Sequence, residues 1–377
     1  MKILTNIRFA QTAGIAQVVF AFLNFVENSK NNNLSVVAVN IANKIKKDYR
    51  KKNGKKISTV SMGLKIPNIA EITKKAKNLD EVEKKYEEII ASYQKVIQKE
   101  KPDIILINGT YFMPWCLFIA SKREEVPAVL HYHGVLTKET QNWKKHQRSI
   151  FLEMEKSFDK KDLFYIFPSK VTKNTVEKEV FGHKISKCAI LPNPVLKQLS
   201  SKGKKIQKTN IGIVSRWTYI KNIKFCEKFA KYNQKKGAKF ILNIISDLDV
   251  NSEKHKNLST MANLRKPTNN RNLASFYRNM GVIISPSHFE TYGNVAKESI
   301  ASGTPALVNK NMGVSETYKK LGLNDWIINF DSIKNVYRKI EDIIGETVNK
   351  KVIEKINKNY STHKIFSDLV KLLNNVV

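Results

Sequence analysis

Short apolar runs alternate with helical patterns of apolar and polar residues along most of the chain. The runs of strand length are KILTNI, LSVVAV, PDIILINGT, VPAVLHYHG and LFYIFPS in the first half, and NIGIVS, KFILNIIS, GVIISPS and PALVN in the second. Between them, stretches such as Asp80 to Glu100 repeat apolar side chains every three or four residues, which predicts amphipathic helices. Strands that alternate with helices predict parallel sheets with helical crossovers, so the predicted fold class is α/β and doubly wound.

The alternation is interrupted once, at ILPNPVLKQLSSKGKKIQK, which is rich in proline, serine and lysine and has no apolar period. We therefore predict a first Rossmann-like domain over 1–191, a linker over 192–208 and a second Rossmann-like domain over 209–355. A C-terminal helix over 356–377 is expected to pack back on the first domain. Two such domains would face each other across a cleft at the carboxyl ends of their sheets, where ligands of doubly wound sheets bind.

Composition agrees with two ordinary globular domains, since the 377 residues are 42% hydrophobic. The net charge of +33 is unusual and favours a nucleic acid, an anionic membrane or a polyanionic substrate as partner. Most of this excess is spread over both halves, but KIKKDYRKKNGKK, Lys44 to Lys56, concentrates eight basic residues with one acid. This run is read as a solvated loop or as a contact with an anionic membrane surface, and less readily as a nucleic-acid contact.

The cysteines and the N-terminus indicate the compartment. Cys116, Cys188 and Cys226 lie far apart without metal-ligand spacing, which argues for a reducing environment. Polar residues interrupt the first 25 positions, so no signal peptide or membrane span is predicted there. We expect a cytoplasmic protein, with peripheral attachment to the inner face of the membrane as an addition.

Two segments of the second half carry candidate chemistry. In GIVSRWTYIKN, the cations Arg216 and Lys221 follow a predicted strand, where both can reach one anion, although either one alone is more often ordinary surface charge. In SPSHFETYGNVAKESIASGTP, Asn294 is predicted to cap a helix over about 295–301, with Glu290 before it and Glu298 in its first turns. The backbone N–H groups at the start of this helix would form an anion site. Gly303 is predicted to end the helix in the left-handed conformation.

Together these segments resemble the signatures of family-4 glycosyltransferases. The run SPSHFETYGNVAKESIASGTPALV is similar to the E-x7-E motif of that family, and SRWTYIK is similar to its R-x4-K segment. ILPNPV stands where the family commonly has a P-N-G run. The resemblance covers the second domain well and the first in outline. It implies the GT-B fold, two Rossmann-like domains, and transfer of a sugar from a nucleotide diphosphate donor with retention of configuration.

The resemblance also implies roles for residues of the second domain. Arg216 and Lys221 would hold the donor diphosphate and neutralise the leaving nucleotide. Glu290 would lie at the hydroxyls of the donor sugar and Glu298 at those of the ribose. The turn residue Gly293 and the backbone N–H groups of Asn294 and Val295 complete the proposed donor-binding set.

In the first domain, the strand PAVLHYHG matches the family's strand that ends in H-G. His133 is therefore the candidate for the histidine on the acceptor side, near the donor sugar, and His131 on the same strand competes with it. Gly14 opens the first strand-to-helix loop, where the family usually has paired glycines that approach the donor. Ala13 replaces the first glycine here, which leaves that contact open.

Some positions depart from the family pattern. Ser215 replaces the usual glycine before Arg216, and Trp217 follows it, which is expected to alter nucleotide choice. The second-domain strand that usually ends in G-x-G is followed here by Asp247 and Asp249, a D-x-D pair of the kind that holds a metal in another glycosyltransferase fold. Because the cations already serve the diphosphate, we interpret the pair as loop carboxylates and expect no metal and no cofactor.

The first hypothesis is therefore a retaining, metal-independent glycosyltransferase of the hexosyltransferase type, with a UDP- or GDP-sugar as co-substrate. Its acceptor would be lipid-linked or a glycan. A non-catalytic partner subunit that keeps the fold is the alternative, but a scaffold needs neither the two glutamates nor the two cations. A nucleic-acid-binding protein is the third hypothesis and depends on charge alone.

Overall fold

The computed structural model describes residues 1–8, 14–42, 54–196, 199 and 209–377. Two predicted features fall largely outside these residues. The basic run Lys44 to Lys56 is described from Gly54 onward, and the linker over 192–208 is described at 192–196 and at Leu199. Ala13 also lies outside the described residues.

The first unit contains a seven-stranded sheet in which every pairing is parallel. Its strands are β1 (Lys2–Ile7), β2 (Ser35–Ala42), β3 (Ile57–Gly63), β4 (Ile104–Asn108), β5 (Ala128–His131), β6 (Phe164–Phe167) and β7 (Cys188–Ile190). They are ordered β3-β2-β1-β4-β5-β6-β7, so the winding direction reverses at β1. The carboxyl ends of β1 and β4 therefore flank the switch point at which doubly wound sheets bind ligands.

Helices cross over between these strands. They are α1 (Gly14–Glu27), α2 (Ile69–Lys75), α3 (Leu79–Glu100), α4 (Phe112–Arg123), α5 (Leu136–Glu139), α6 (Lys145–Lys156) and α7 (Lys170–Thr175), which continues as a π-helical turn, Val176–Phe181. The long helix α3 shows why the pattern predicts them: Asn78 caps its start by accepting from Glu81 N, and its periodic apolar residues are all buried. It ends at Lys101 in the left-handed region.

The second unit has a six-stranded parallel sheet of order β10-β9-β8-β11-β12-β13. Its strands are β8 (Asn210–Val214), β9 (Ile241–Ile245), β10 (Asn263–Arg265), β11 (Val282–Ser285), β12 (Ala306–Asn309) and β13 (Ile327–Ile328). Its helices are α8 (Ile223–Lys235), α9 (Glu253–Ser259), α10 (Asn270–Arg278), α11 (Asn294–Ala301), α12 (Val314–Leu321), α13 (Ile333–Ile343) and α14 (Lys350–Asn359), with 3-10 turns at Tyr219–Lys221 and Asn324–Trp326. Two Rossmann-like domains with parallel sheets confirm the predicted α/β fold class.

The last helix, α15 (Thr362–Asn374), carries the chain out of the second unit. Contacts divide the described chain into Met1–Pro192 with Ile365–Val377, and Asn193–Lys364. The apolar residues of α15 that lie in the core of the first unit are spaced for one helical face: Ile365, Phe366, Leu369 and Leu373. The C-terminal residues are therefore part of the core of the first unit.

Two further observations bear on the predicted compartment. Within the described ranges, no helix is long and apolar enough to cross a membrane. All three cysteines are free thiols, with Cys116 and Cys226 buried and Cys188 partly buried.

We expect Phe366→Ala to destabilise the first unit by about 3–5 kcal/mol, because it leaves a cavity in a packed core. Phe366 is 2% exposed, and its ring centroid lies 5.4 Å from that of Phe22 in α1. Urea unfolding followed by far-UV circular dichroism measures the change.

The matched control is Lys371→Ala on the exposed face of the same helix, where a change within about 0.5 kcal/mol is expected. Equal effects of the two substitutions would show that α15 does not contribute to this core.

Candidate functional site

The loop after β8 places the two predicted cations at the carboxyl end of the second sheet. Arg216 is exposed two residues beyond the strand, and Lys221 ends the 3-10 turn that follows. The turn closes through hydrogen bonds from Thr218 N to Arg216 O, 3.0 Å, and from Lys221 N to Thr218 O, 3.0 Å. Asn222 then adopts the left-handed conformation, with φ of 55°, and α8 begins. The cations therefore lie on one short, well-bonded loop.

The loop after β11 brings Glu290 to Lys221. Lys221 Nζ lies 2.9 Å from Glu290 Oε1, and each of the two side chains is 17% exposed. The hydroxyl of Ser287 donates to the same carboxylate oxygen at 2.7 Å. Lys221 and Glu290 belong to different sequence motifs, so their contact was not predicted. Ser287 was not predicted either, although a serine three residues before a carboxylate is a local hydrogen-bonding signal.

Backbone contacts hold the two loops together. His288 N donates to Ile220 O at 2.9 Å, and the Asn222 side chain donates to Pro286 O at 3.2 Å. The rings of Tyr219 and His288 lie 5.3 Å apart. The ion pair of Lys221 with Glu290 is therefore supported on both sides by the loops that carry it.

The start of α11 differs from the prediction that Asn294 caps it. Gly293 is the N-cap, and Asn294 is the first helical residue. Gly293 has φ of 107°, and a Cβ there would lie 2.9 Å from both Met312 Cε and Val314 Cγ1, so glycine is required for conformation and for space. The Asn294 amide oxygen instead accepts from the Asn193 side chain at 3.2 Å, which explains why it is not available for capping.

The backbone of Asn294 and Val295 still belongs to the first turn of α11, as predicted. N–H groups of a first turn have no partner within their own helix and carry a partial positive charge. At the other end, Gly303 has φ of 87° directly after the helix, which confirms the predicted left-handed stop.

Glu298 lies further along α11 and is half-buried. The Tyr277 hydroxyl of α10 donates to Glu298 Oε2 at 2.9 Å. Burial raises the pKa of Glu298, whereas the Tyr277 hydrogen bond and the Lys297 charge lower it. Nothing in the sequence around Tyr277 signalled this contact, because the two residues belong to different helices.

Lys297 is a completely buried lysine beside Glu298, and the sequence motifs did not single it out. Its Nζ donates to the backbone carbonyls of Asn193 and of Pro194, the latter at 3.1 Å. The same atom lies 4.4 Å from the ring centroid of Tyr292. Burial lowers the pKa of Lys297, and the Glu298 charge opposes this shift. Lys297 thus ties α11 to the segment with which the second unit begins.

The two aspartates after β9 have separate local partners. Asp247 Oδ1 accepts from Trp217 N at 2.6 Å and so supports the loop that carries Arg216. Asp249 Oδ1 accepts from Asn251 N at 3.0 Å in the turn that leads to α9. In the part of the chain that the structure describes, no group of three His, Cys, Asp or Glu side chains is arranged to hold a metal ion.

In the first unit, His133 follows β5 and is joined to the ends of β1 and β4. His133 Nε2 lies 3.2 Å from Asn108 Oδ1, and the Asn108 amide donates to Thr5 Oγ1 at 2.7 Å. Thr5 in turn donates to Leu106 O at 2.7 Å. Thr5 uses its proton on Leu106 O, so it must accept from the Asn108 amide nitrogen, and Asn108 Oδ1 therefore faces His133 as an acceptor. His133 consequently carries its proton on Nε2.

His131, the competing histidine, is the last residue of β5 and is 5% exposed. Its ring centroid is 4.1 Å from that of His133, and its Nε2 has no hydrogen-bond partner among the described residues. Burial lowers the pKa of His131 well below its ordinary range, and lowers that of His133 to about 4. Both rings are therefore neutral near pH 7, and His133 is the one with an oriented proton.

The segment after His133 is held by a buried carboxylate that the sequence did not suggest. Glu155 of α6 accepts from Leu136 N and Thr137 N, each at 2.8 Å, at the start of α5. Burial raises the pKa of Glu155 to about 7 against the effect of these hydrogen bonds. A Cβ at Gly134 would lie 2.5 Å from Glu139 Oε1, the end of a side chain that would have to move.

Gly14, the remaining predicted residue, is exposed at the first position of α1. The preceding residues of the strand-to-helix loop lie outside the described ranges. The structure thus brings Lys221 and Glu290 into contact, places Arg216 and the start of α11 on the same sheet edge, and places His133 and Gly14 in the first unit.

Two family models match adjacent parts of the chain. The model described as "Glycosyl transferases group 1" matches residues 197–360, and the model described as "Glycosyltransferase Family 4" matches residues 75–196. Together they span residues 75–192 of the first unit and nearly all of the second. The predicted family resemblance is supported by both matches.

Individual relatives agree with this assignment. The capsular polysaccharide biosynthesis glycosyltransferase CapM of Staphylococcus aureus is 29% identical over 105 residues, which is 26% of this chain and 27% of CapM. The match therefore spans about a quarter of that relative.

Among solved structures, sucrose-phosphate synthase from Thermosynechococcus elongatus aligns with a TM-score of 0.75 at 14% identity, covering 100% of this chain and 99% of the synthase. The lipopolysaccharide outer core galactosyltransferase WaaB aligns with a TM-score of 0.65 at 14% identity, covering both chains fully. At such identities these likenesses show a shared fold.

The buried His133 and Glu155 predict opposite effects of pH on stability. The pKa of His133 is depressed from 6.5 to about 4, so its stabilising contribution is present above pH 6.5 and is lost as pH falls toward 4. The pKa of Glu155 is raised from 4.5 to about 7, so its contribution is present below pH 4.5 and is lost as pH rises through 7. His133→Gln should therefore lower the free energy of unfolding, relative to wild type, by about 2 kcal/mol more at pH 7 than at pH 4.5. Glu155→Gln should lower the free energy of unfolding more at pH 4.5 than at pH 7.

Urea unfolding of wild type and both variants at half-unit steps between pH 4.5 and 7.5 measures these differences. Each variant is the control for the other, because general weakening of the fold shifts both curves by a constant. Two difference curves with the same slope would contradict the assigned environments.

Proposed function

We propose that this chain is a glycosyltransferase of the GT-B type in family 4, as the two family models that match it support. In this proposal it transfers a sugar from a nucleotide diphosphate sugar to a lipid-linked or glycan acceptor with retention of configuration. The observation that carries the proposal is the contact of Lys221 with Glu290 beside the start of α11. The similarity to a capsular polysaccharide biosynthesis enzyme supports a glycan product.

We propose that the donor diphosphate binds where Arg216, Lys221 and the first turn of α11 converge. Arg216 is exposed and offers a fork of donors, and the N–H groups at Asn294 and Val295 offer two more. As the sugar-to-phosphate bond breaks, negative charge grows on the leaving diphosphate. Fixed cations and N–H dipoles stabilise that charge without reorganisation, which is a main source of catalysis in such a site.

Glu290 is proposed to accept hydrogen bonds from the donor sugar. Lys221 and Ser287 both hold its Oε1 atom, so the carboxylate is fixed in position. Because Lys221 is shared between Glu290 and the proposed diphosphate position, it would connect the binding of the sugar with that of the leaving group. Glu298, held at Oε2 by Tyr277, is proposed to bind the ribose hydroxyls.

In the first unit, His133 is proposed to act on the acceptor side, near the donor sugar. Its neutral ring carries the proton on Nε2, which Asn108 holds, and this leaves its charge state constant near pH 7. Gly14, at the start of α1, is proposed to allow close approach of the donor to the first loop. The proposed co-substrate is a UDP- or GDP-sugar, and the proposed mechanism uses no metal and no cofactor.

Donor binding and hydrolysis test this assignment. We expect a UDP- or GDP-sugar, in the presence of EDTA, to raise the melting temperature of the wild type and to be hydrolysed slowly. Arg216→Ala should weaken donor binding roughly 10- to 100-fold, because it removes hydrogen bonds to a charged group. Glu290→Gln should reduce the hydrolysis rate more than the affinity. NMR of the sugar that is released first should show the same anomeric configuration as that of the sugar in the donor.

Lys320→Ala, which removes an exposed lysine from the last turn of α12, serves as the charge control and should leave both quantities unchanged. The donor site is wrong if no nucleotide sugar stabilises the wild type or if Arg216→Ala and Lys320→Ala behave alike. Activity that is lost in EDTA and restored by Mg²⁺ or Mn²⁺ would disprove the metal-free mechanism, and release of the opposite anomer would disprove retention.

We also propose that the basic run Lys44 to Lys56 attaches the enzyme to an anionic membrane surface that holds a lipid-linked acceptor. Each lysine near such a surface contributes about 1 kcal/mol, and salt screens the attraction. We expect co-sedimentation with phosphatidylglycerol vesicles at low salt, and a strong loss of it when Lys46, Lys47, Lys51 and Lys52 are changed to Gln. Equal binding to neutral and anionic vesicles that salt does not affect would disprove the attachment.

A further inference from the structure

A second cationic site lies on the second unit, far from the loops that carry Arg216 and Glu290. It is a pocket of about 210 Å³ between the last turn of α8 and the first turns of α13. Its lining residues are Tyr232, Lys236, Lys239, Lys334, Tyr337, Arg338 and Glu341. Since α8 begins beside Lys221 and has 13 residues, its far end lies about 20 Å from the proposed donor site.

The charges around this pocket favour an anion. Four of its side chains are cationic, and its one carboxylate, on Glu341, is already paired with Lys239 at 2.7 Å. Lys236, Lys334 and Arg338 are exposed at its rim. Lysine ammonium groups and an arginine fork in one concave site are the donors that bind phosphate oxygens.

A buried hydroxyl gives a second and independent indication of a ligand. Tyr337 is 4% exposed, and its hydroxyl has no hydrogen-bond partner among the described residues. Packing holds its ring, with centroids at 5.0 Å from Phe240 and 5.3 Å from Tyr232. Buried hydroxyl groups are nearly always hydrogen-bonded, so an unpaired one in a pocket wall indicates a missing partner.

Tyr337 belongs to the wall of this pocket. Burial and the neighbouring Glu341 and Tyr232 raise the pKa of Tyr337, whereas Lys239 lowers it, and all three neighbours also line the pocket. The phenol is therefore part of the wall around which the cations lie.

We propose that this pocket is a second anion site, separate from the donor site, that binds a phosphate-bearing group. Arg338, Lys334 and Lys236 would hold the phosphate oxygens, the Tyr337 hydroxyl would donate to one of them, and the partly exposed Tyr232 ring would cover an attached organic group. The pocket is smaller than the roughly 300 Å³ at which ligand pockets begin, so it fits a phosphate group with a small substituent better than a whole nucleotide sugar.

The test uses the full chain and inorganic phosphate at constant ionic strength, with chloride as the balancing anion. We expect phosphate to raise the melting temperature in a saturable manner, because a ligand of the native state stabilises it. Arg338→Gln should raise the phosphate Kd roughly tenfold, which corresponds to the loss of one charged hydrogen bond. Arg338→Lys should recover part of the affinity.

Tyr337→Phe separates binding from folding. Without phosphate this variant should be at least as stable as the wild type, because it removes an unpaired buried hydroxyl. With phosphate its stabilisation should be clearly smaller. If the variant loses stability without phosphate and keeps the full phosphate effect, the hydroxyl is structural and the proposal fails.

Two controls distinguish this pocket from other sites. Lys254→Gln, an exposed lysine of α9, and Arg216→Ala, at the donor site, should both keep the Arg338-dependent part of the phosphate effect. If Arg216→Ala abolishes the effect and Arg338→Gln does not, phosphate binds only at the donor site and the proposal is wrong.

The source of the phosphate group is tested with vesicles of phosphatidylcholine that contain phosphatidic acid. Binding that depends on Arg338 and exceeds binding to pure phosphatidylcholine would assign the site to a lipid headgroup. An effect of Arg338→Gln on soluble phosphate alone would assign it to a soluble phosphate compound. The absence of any Arg338-dependent effect in both arms would overturn the proposal.

Discussion

The parallel pairing of β8 with β11 is the constraint on which the candidate donor site depends. Val282 of β11 is in register with Ile211 of β8, so both strands end at the same edge of the sheet and release their loops side by side. Residues some 70 positions apart in the chain, Lys221 and Glu290, can then form an ion pair of 2.9 Å. The start of α11 follows directly on the second loop, so its free N–H groups lie at the same edge. A change that shifts this register would separate the ion pair without altering any residue of the site.

Buried charged side chains, which must find hydrogen-bond partners, hold other backbone segments near the candidate residues in place. The buried Lys297 ammonium is satisfied by the carbonyls of Asn193 and Pro194 and by the Tyr292 ring. In the first unit, the Glu155 carboxylate is satisfied by the N–H groups at the start of α5. Each of these groups would be costly to bury unpaired. They therefore select one position for the backbone segments that they bind.

The sequence predicted the fold class and most helices and strands because these depend on local periodicity. The buried face of α3 and the glycine stop after α11 are examples, and both are visible in consecutive residues. It did not predict the pairing of Tyr277 with Glu298 or of Lys297 with Asn193, since these contacts join residues that are distant in the chain. Asn294 shows how a local rule can fail: asparagine is a good helix cap, but a tertiary hydrogen bond from Asn193 holds its side chain, and Gly293 caps instead.

The role of a charged residue also depends on contacts that the sequence does not show. The net charge of +33 gives the excess of basic residues, but the function of each cation depends on its surroundings. Lys221 is partly buried and paired with a carboxylate. Lys334 and Arg338 are exposed beside a buried phenol whose hydroxyl has no hydrogen-bond partner in the described part of the chain. A cation already paired is positioned for a reaction, because its location does not depend on the ligand. Unpaired cations around a concave site gain their partner only when an anion binds, so they suit recognition better than catalysis. The cations near the two ends of α8 are therefore of two different kinds, and counting charges alone would not distinguish them.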